Sequence, residues 1–363
     1  MVKILELDPD IHLLLQEGTV IPAHPLALDE HRQLDSVRQQ LLTRYYLEAG
    51  AGGVAVGVHT TQFGIRDPEH DLFERVLSLA IEEIRRLSPV RPIIKIAGVC
   101  GPTDQAIHEA SIARDLGYDL GLLSQGGLVE WSEPELLERA MEVGKIIPLF
   151  GFYLQPAVGG KILSIEFWRK FAEIPNVYAI KIAPFNRYQT LDVVRAVCLS
   201  SRSNEISLYT GNDDHILEDL LTTYTVNTPG GKIKKDIVGG LLGHWAIWTK
   251  KAVEILHRIQ IIKKNEMDVS PLLLTEGLHI TDANAAIFDA RNQFKGCIAG
   301  IHEVLRRQGL LKGIWCLDPK ENLSPGQEQE IDRVYSDYPE LNDDGFVRNH
   351  LNDWIQNITE QNG

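Results

Sequence analysis

Short apolar runs alternate with amphipathic stretches over the first two thirds of the chain. Runs at 19–23, 53–57, 93–99, 119–124, 147–154, 177–183, 206–210 and 236–240 read as strands. Stretches near 35–49, 68–87, 103–116, 133–143, 164–172, 190–200 and 214–224 carry apolar residues at helical spacing. Asp67-Pro68 puts proline at a first helical position, and Pro102-Thr103 and Leu163-Ser164 supply caps. Gly50, Gly117 and Gly144 stand where helices should end. Eight strands, each followed by a helix, describe a (β/α)8 barrel. A doubly wound sheet is the alternative, but no glycine-rich dinucleotide fingerprint follows the first strand. The polar stretch 225–235 reads as an inserted loop before the last strand. Helical patterns at 245–264, 282–308, 325–335 and 346–359 then follow with no strands between them. The expected fold class is α/β, a (β/α)8 TIM barrel over 1–243 with a C-terminal helical region over 244–363.

Composition narrows the function classes. The 363 residues are 44% apolar, enough for a large core, and no apolar run reaches the roughly 20 residues that span a bilayer. Acidic residues in Met-Val-Lys-Ile-Leu-Glu-Leu-Asp argue against a signal peptide. Four cysteines, at 100, 198, 297 and 316, form no CxxC pair and fit free thiols in a reducing cytosol. The net charge of −14 argues against nucleic acid or an anionic membrane as partner, while leaving a small anionic substrate open.

The candidate chemistry starts in Val177-Tyr-Ala-Ile-Lys-Ile-Ala183. Alternation places Lys181 with Val177, Ala179 and Ala183 on one face of a buried strand. Burial lowers the pKa of an ammonium, and a partly neutral amine attacks carbonyl carbon to form a Schiff base. The plainer reading is a lysine that snorkels to solvent or pairs with a carboxylate. Active sites of these barrels lie at the carboxyl ends of the strands. That rule favours Lys181, near the end of its strand, over Lys95, near the start of another. Tyr153 ends the preceding strand. It could shuttle protons for an imine, or simply fill the barrel mouth as an aromatic.

These residues carry a resemblance. Tyr153-Leu-Gln-Pro-Ala-Val-Gly-Gly and Pro175-Asn-Val-Tyr-Ala-Ile-Lys181 resemble the strand-five and strand-six segments of the dihydrodipicolinate synthase and N-acetylneuraminate lyase family. Thr19-Val-Ile-Pro-Ala, Ala55-Val-Gly-Val-His-Thr-Thr, Ile96-Ala-Gly-Val and Tyr209-Thr-Gly-Asn-Asp follow the family pattern in order. The resemblance implies a class I aldolase or lyase without a cofactor or metal, in which Lys181 forms an imine with pyruvate or another 2-oxo acid and Tyr153 relays protons. It also implies a substrate carboxylate held by backbone N–H groups after strand two, a substrate-side role for Gly211 and Asp213, and a cytoplasmic dimer or tetramer.

Departures from the pattern bear on the second substrate. The loop after strand two reads Val58-His59-Thr60-Thr61 where the synthases carry Gly-Thr-Thr-Gly-Glu, and a two-residue shift would restore Thr60-Thr61. Gly127 falls where the second relay tyrosine is expected, and Val158 where an arginine binds the second carboxylate, which argues against a lysine-biosynthetic role. His59, Gln125 and Gln155 are candidate polar contacts, each also readable as an ordinary loop residue. Histidines 59, 108, 215 and 244 show no HxH or HxxxH spacing, so no catalytic metal is expected. The glycine pairs 126–127, 159–160 and 239–240 leave a phosphorylated substrate open. A sugar-acid dehydratase or hydratase-aldolase on the same scaffold, and a non-catalytic acid-binding barrel, are the alternatives.

Overall fold

The computed structural model describes residues 4–362. In chain order the elements are α1 (Pro9–Glu17), β1 (Val20–Pro22), α2 (Ser36–Ala49), β2 (Gly53–Val56), α3 (Phe73–Leu87), β3 (Ile94–Val99), α4 (Thr103–Leu116), β4 (Leu120–Leu123), α5 (Glu133–Val143), β5 (Leu149–Leu154), α6 (Ile165–Ala172), β6 (Val177–Ala183), α7 (Arg187–Cys198), β7 (Ser207–Thr210) and α8 (Ile216–Leu221). There follow β8 (Thr223–Thr228), β9 (Gly231–Leu242), α9 (Thr249–Lys264), α10 (Pro271–Ile287), α11 (Cys297–Arg307), α12 (Gln327–Asp337) and α13 (Asp344–Asn362). Hydrogen-bonded neighbours run β1-β9-β7-β6-β5-β4-β3-β2, eight parallel strands of a nearly closed barrel, while β8 pairs only with β9. No helix among the described residues is long and apolar enough to cross a membrane.

Contacts group the chain into two compact units, one of residues up to Thr19 with Ile94–Leu241, the other of Val20–Ile93 with the residues from Leu242 on. In the first unit the strand registers set the faces. Leu122 pairs with Phe150, Phe150 with Ala179, and Phe152 with Lys181, which in turn pairs with Tyr209. A Cβ built on Gly151 would meet Phe171 of α6 at 2.6 Å, so Gly151 faces the helices and its neighbours Phe150 and Phe152 face the barrel interior. Helix α1, capped by the Asp8 side chain, is tied into this unit by the Tyr209 hydroxyl, which donates to Leu15 O at 2.9 Å. A Cβ at Gly239 would lie 2.5 Å from Thr19 O, a close approach only glycine permits.

In the second unit β1 meets β2 through a parallel bridge between Ala23 and Ala55. Helix α2 is buried on nearly every side, and its polar residues are matched one by one. Gln39 Oε1 accepts from Ala27 N, Thr43 bonds His24 and Arg44 pairs with Glu83 at 2.6 Å. Asp343 gathers three donors, the Tyr45 hydroxyl (2.8 Å), Lys250 N (2.9 Å) and Gln308 Nε2 (2.7 Å).

Several sequence expectations are corrected. Stretch 225–235 is no loop but lies in the antiparallel β8–β9 hairpin. Its alternating Thr, Tyr and Val residues form a strand exposed or half-exposed on both faces, so polarity hid it. The expected helix 282–308 is two helices. Asp289 adopts φ +57°, and its carboxylate accepts from Gly296 N, Asn292 Nδ2 and Ser324 Oγ, drawing the backbone out of helical bonding. Trp248 at φ +50° delays the helix expected at 245 to Thr249. The helix expected from Pro68 begins at Phe73, because 67–71 form a turn that ends on Asp71 at φ +46°. The stretch 214–224 is helical only over Ile216–Leu221, and α1 is a helix additional to those the sequence pattern predicts.

Buried His24, His244 and His302 have imidazoles pushed by burial down to about 4. Unfolded histidines protonate near 6.5, so the unfolded state binds up to three extra protons between those values. Glu321, raised by burial and by Asp318 to about 7, acts the other way, as do Asp119, Asp214, Asp343 and Asp344, each raised by burial. The histidines are expected to dominate, so stability should fall on acidification from about pH 6.5 toward 4, by at most about 3 kcal/mol per pH unit. Urea midpoints at successive pH values measure this, and a midpoint that rises on acidification would contradict it.

Candidate active site at the mouth of the barrel

Strand β6 is buried along its whole length, and Lys181 projects into the barrel interior with 8% of its surface exposed. The Phe152 ring lies 4.4 Å from its Nζ. A Cβ at Gly211 would sit 2.5 Å from Lys181 Cε, so the lysine stem passes directly over a glycine that has to stay one. Burial lowers the amine to about 8, and the negative charge of Asp213 opposes the fall.

The loop that carries Gly211 and Asp213 is pinned from below. Asn212 is fully buried, its Nδ2 donating to Asp219 Oδ2 (2.9 Å) and its Oδ1 accepting from Phe185 N (3.1 Å). Thr210 Oγ1 donates to the same Asp219 oxygen at 2.7 Å, and Arg187 pairs with the other. Sequence reasoning missed Asn212, Asp219 and Arg187. Their only signal was an Asn-Asp pair at a strand end followed by a carboxylate on the next helix.

Tyr153 is not brought to Lys181. Counted without interruption from the Leu149–Val177 pair, Tyr153 would stand opposite Lys181. The β5–β6 register shifts immediately after that pair, so Phe150 faces Ala179 and Phe152 takes the place beside the lysine. Tyr153 consequently points toward the helices. Its ring packs on Trp168 at 5.1 Å, and its hydroxyl accepts from Leu163 N at 3.3 Å.

The remaining predicted residues are placed as follows. Gln125 lies two residues beyond Leu123, on the helix-facing side, and its Oε1 accepts from the buried Arg139 at 3.2 Å. Gln155 starts the short turn Pro156–Val158 and is half-buried. In the second unit, Thr61 Oγ1 donates to His24 O (2.6 Å) and accepts from Gly57 N (3.0 Å) and Val58 N (3.1 Å). Thr60 Oγ1 donates to Ala23 O at 2.8 Å. Of the N–H groups in the loop expected to hold a carboxylate, that of Val58 is thus engaged by Thr61, as is that of Gly57 just before it. His59 is half-buried against Phe63 and lines a cavity of about 740 Å³ in this unit. Lys95 pairs with Asp119 at 2.9 Å, a structural role.

No family model matches the chain, and no curated protein does. Solved structures do. The chain is similar to dihydrodipicolinate synthase from Acinetobacter baumannii, solved in complex with pyruvate (TM-score 0.69, 20% identity, 88% of this chain and 98% of that one). It is similar also to N-acetylneuraminate lyase from Fusobacterium nucleatum (TM-score 0.67, 16% identity, 89% and 99%). A third is YagE of E. coli K12, a prophage protein of the dihydrodipicolinic acid synthase family in complex with pyruvate (TM-score 0.68, 16% identity, 89% and 98%). The fold is therefore the (β/α)8 barrel of these enzymes.

Replacing Tyr153 by Phe should remove one hydrogen bond at a cost of about 1 kcal/mol in stability, and any trapping of an added 2-oxo acid on Lys181 should change less than about twofold. Denaturant titration and the rate of borohydride trapping measure the two effects. Loss of trapping in Tyr153→Phe would show that the hydroxyl does reach the amine.

Proposed function

We propose that the chain is a divergent class I lyase of the dihydrodipicolinate synthase and N-acetylneuraminate lyase type, acting on pyruvate or another 2-oxo acid through a Schiff base on Lys181. The observation that carries the reading is a buried lysine on the interior face of β6 with its amine lowered to about 8. About a tenth of such an amine is neutral at pH 7, several hundred times more than for an exposed lysine. The neutral Nζ adds to the C2 carbonyl, and the carbinolamine loses the former carbonyl oxygen as water. The resulting iminium accepts the electron pair released when a bond at C3 breaks, and returns it when one forms.

The proton steps need a group other than Tyr153, since Phe152 has no hydroxyl. Asp213 is the carboxylate whose charge bears on Lys181, and we assign it the transfer of protons to and from the imine centre. Gly211 leaves room for the lysine stem. Val58, His59, Thr60, Thr61, Gln125 and Gln155 enter the proposal only as the loops from which a second substrate would be selected. The same proposal places the protein in the cytosol as a homo-oligomer with no nucleic-acid partner.

The phenyl ring beside the lysine also favours a second reading, a barrel that binds a small acid without turnover. Incubation with pyruvate and borohydride, followed by peptide mass spectrometry, separates the two. The expected result is a reduced adduct on Lys181, absent in Lys181→Arg, with a trapping rate that rises roughly tenfold per pH unit up to about 8 and then levels. Pyruvate binding by calorimetry with no adduct would sink the enzymatic reading and support the second. An adduct on another lysine would sink both.

A further inference from the structure

Strand β8 pairs with β9 alone, in an antiparallel register that runs without a bulge from Thr223–Asp236 to Thr228–Gly231. A two-residue turn, Pro229-Gly230, closes the hairpin. Strand β9 then continues into the barrel, where Ile237 pairs with Leu208 of β7. The hairpin therefore extends past the amino ends of these parallel strands, away from the mouth, as a stiff prolongation of a barrel strand. One face of its base is tied to the body, where the Tyr224 hydroxyl donates to Asp219 Oδ1 at 3.3 Å and Lys235 Nζ donates to Ser203 O. On the other face Thr223, Thr225 and Asn227 are exposed.

The outer edge of β8 is open and unguarded. Bonded and non-bonded pairs alternate from the turn, so Thr223, Thr225 and Asn227 direct their N–H and C=O groups away from β9. Exposed edges are ordinarily blunted by a charge, a proline or a bulge. Strand β8 has none of these. It reads Thr-Tyr-Thr-Val-Asn-Thr, β-branched at four of six positions, a composition that favours pairing. The charges of the hairpin stand on β9 instead, as Lys232, Lys234, Lys235 and Asp236. A two-stranded ribbon is marginal in water, and further strands stabilise it.

We propose that β8 pairs antiparallel with β8 of a second copy, about a two-fold axis at Thr225, to form a four-stranded sheet. In that register Thr225 meets its own counterpart, Thr223 meets Asn227 and Tyr224 meets Val226. These are threonine–threonine and aromatic–β-branched pairs with no charge among them. The edges exchange about six main-chain hydrogen bonds. Copies of a chain of net charge −14 repel over most of their surface, whereas residues 223–236 carry three lysines against one aspartate. The lysines on the two β9 strands would lie three strand spacings apart, roughly 14 Å, beyond the screening length of about 8 Å at physiological ionic strength. An acidic strand from another protein would find no cation on β8 itself. The contact is isologous and closes at two chains. It rests on the homo-oligomer already proposed and specifies one of its contacts.

The full chain and its variants are compared by sedimentation equilibrium over a dilution series. Thr225→Pro removes an outward N–H without touching the β8–β9 ladder. Thr225→Glu can pair with Lys234 within the chain but sets two carboxylates face to face at the axis. The parent should self-associate, and both variants should raise the dissociation constant of that step tenfold or more, with unchanged circular dichroism and unchanged trapping at Lys181. Thr225→Cys, mildly oxidised, should form a disulfide between the two introduced thiols, identified by peptide mass spectrometry. A parent that stays monomeric would overturn this contact and the homo-oligomer together. An oligomer that persists unweakened in both variants, or no disulfide at the introduced thiol, would overturn this contact alone. Growth beyond closed assemblies through this edge would overturn the two-fold pairing.

Discussion

The Lys181 amine is kept almost dry, with an aromatic face on one side and one carboxylate bearing on it. Water would stabilise the ammonium, and its exclusion is what brings the neutral form within reach at ordinary pH. Two neighbouring features serve that exclusion. Phe152 presents a ring instead of a hydroxyl, and Gly211 lets the stem lie flat against the next strand. The Asn212–Asp219–Thr210 network fixes the loop that brings Asp213 near. Desolvation lowers the pKa and the charge of Asp213 raises it, so the value of about 8 is a balance of two opposed influences.

The barrel was legible because its strands are buried on both faces and its helices on one, which prints two distinct periods on the sequence. Seven of the eight barrel strands begin and end within about three residues of their expected positions, which is the usual limit for element boundaries. The eighth, expected at 236–240, is the inner end of the long strand β9. What the pattern could not carry was pairing. A one-residue register shift between β5 and β6 leaves no mark in the order of residues, yet it exchanges Phe152 for Tyr153 beside the lysine. The family-like spacing from Tyr153 to Lys181 is real in sequence and does not bring the hydroxyl to the amine.

Other features were hidden by composition. Gln39, Gln40, Thr43 and Arg44 would read as a solvated stripe, but all four are buried, and their partners come from residues 24–27 after β1 and from α3. The β8–β9 hairpin was hidden for the opposite reason, since a strand exposed on both faces lacks the apolar signal. The Asp67–His70 turn was masked by Pro68, which reads as a helix start.

Asp343 has a mechanical consequence. Its two oxygens join the Tyr45 side chain on α2, the backbone at the start of α9 and Gln308 just past α11, three stretches far apart in sequence. No one of them can loosen without stranding the others' hydrogen-bonding groups in a dry interior. The amides around Lys250 and Val347 would therefore exchange with solvent through a shared opening, and the end of the chain behaves as one cooperative block rather than a row of independently fraying helices.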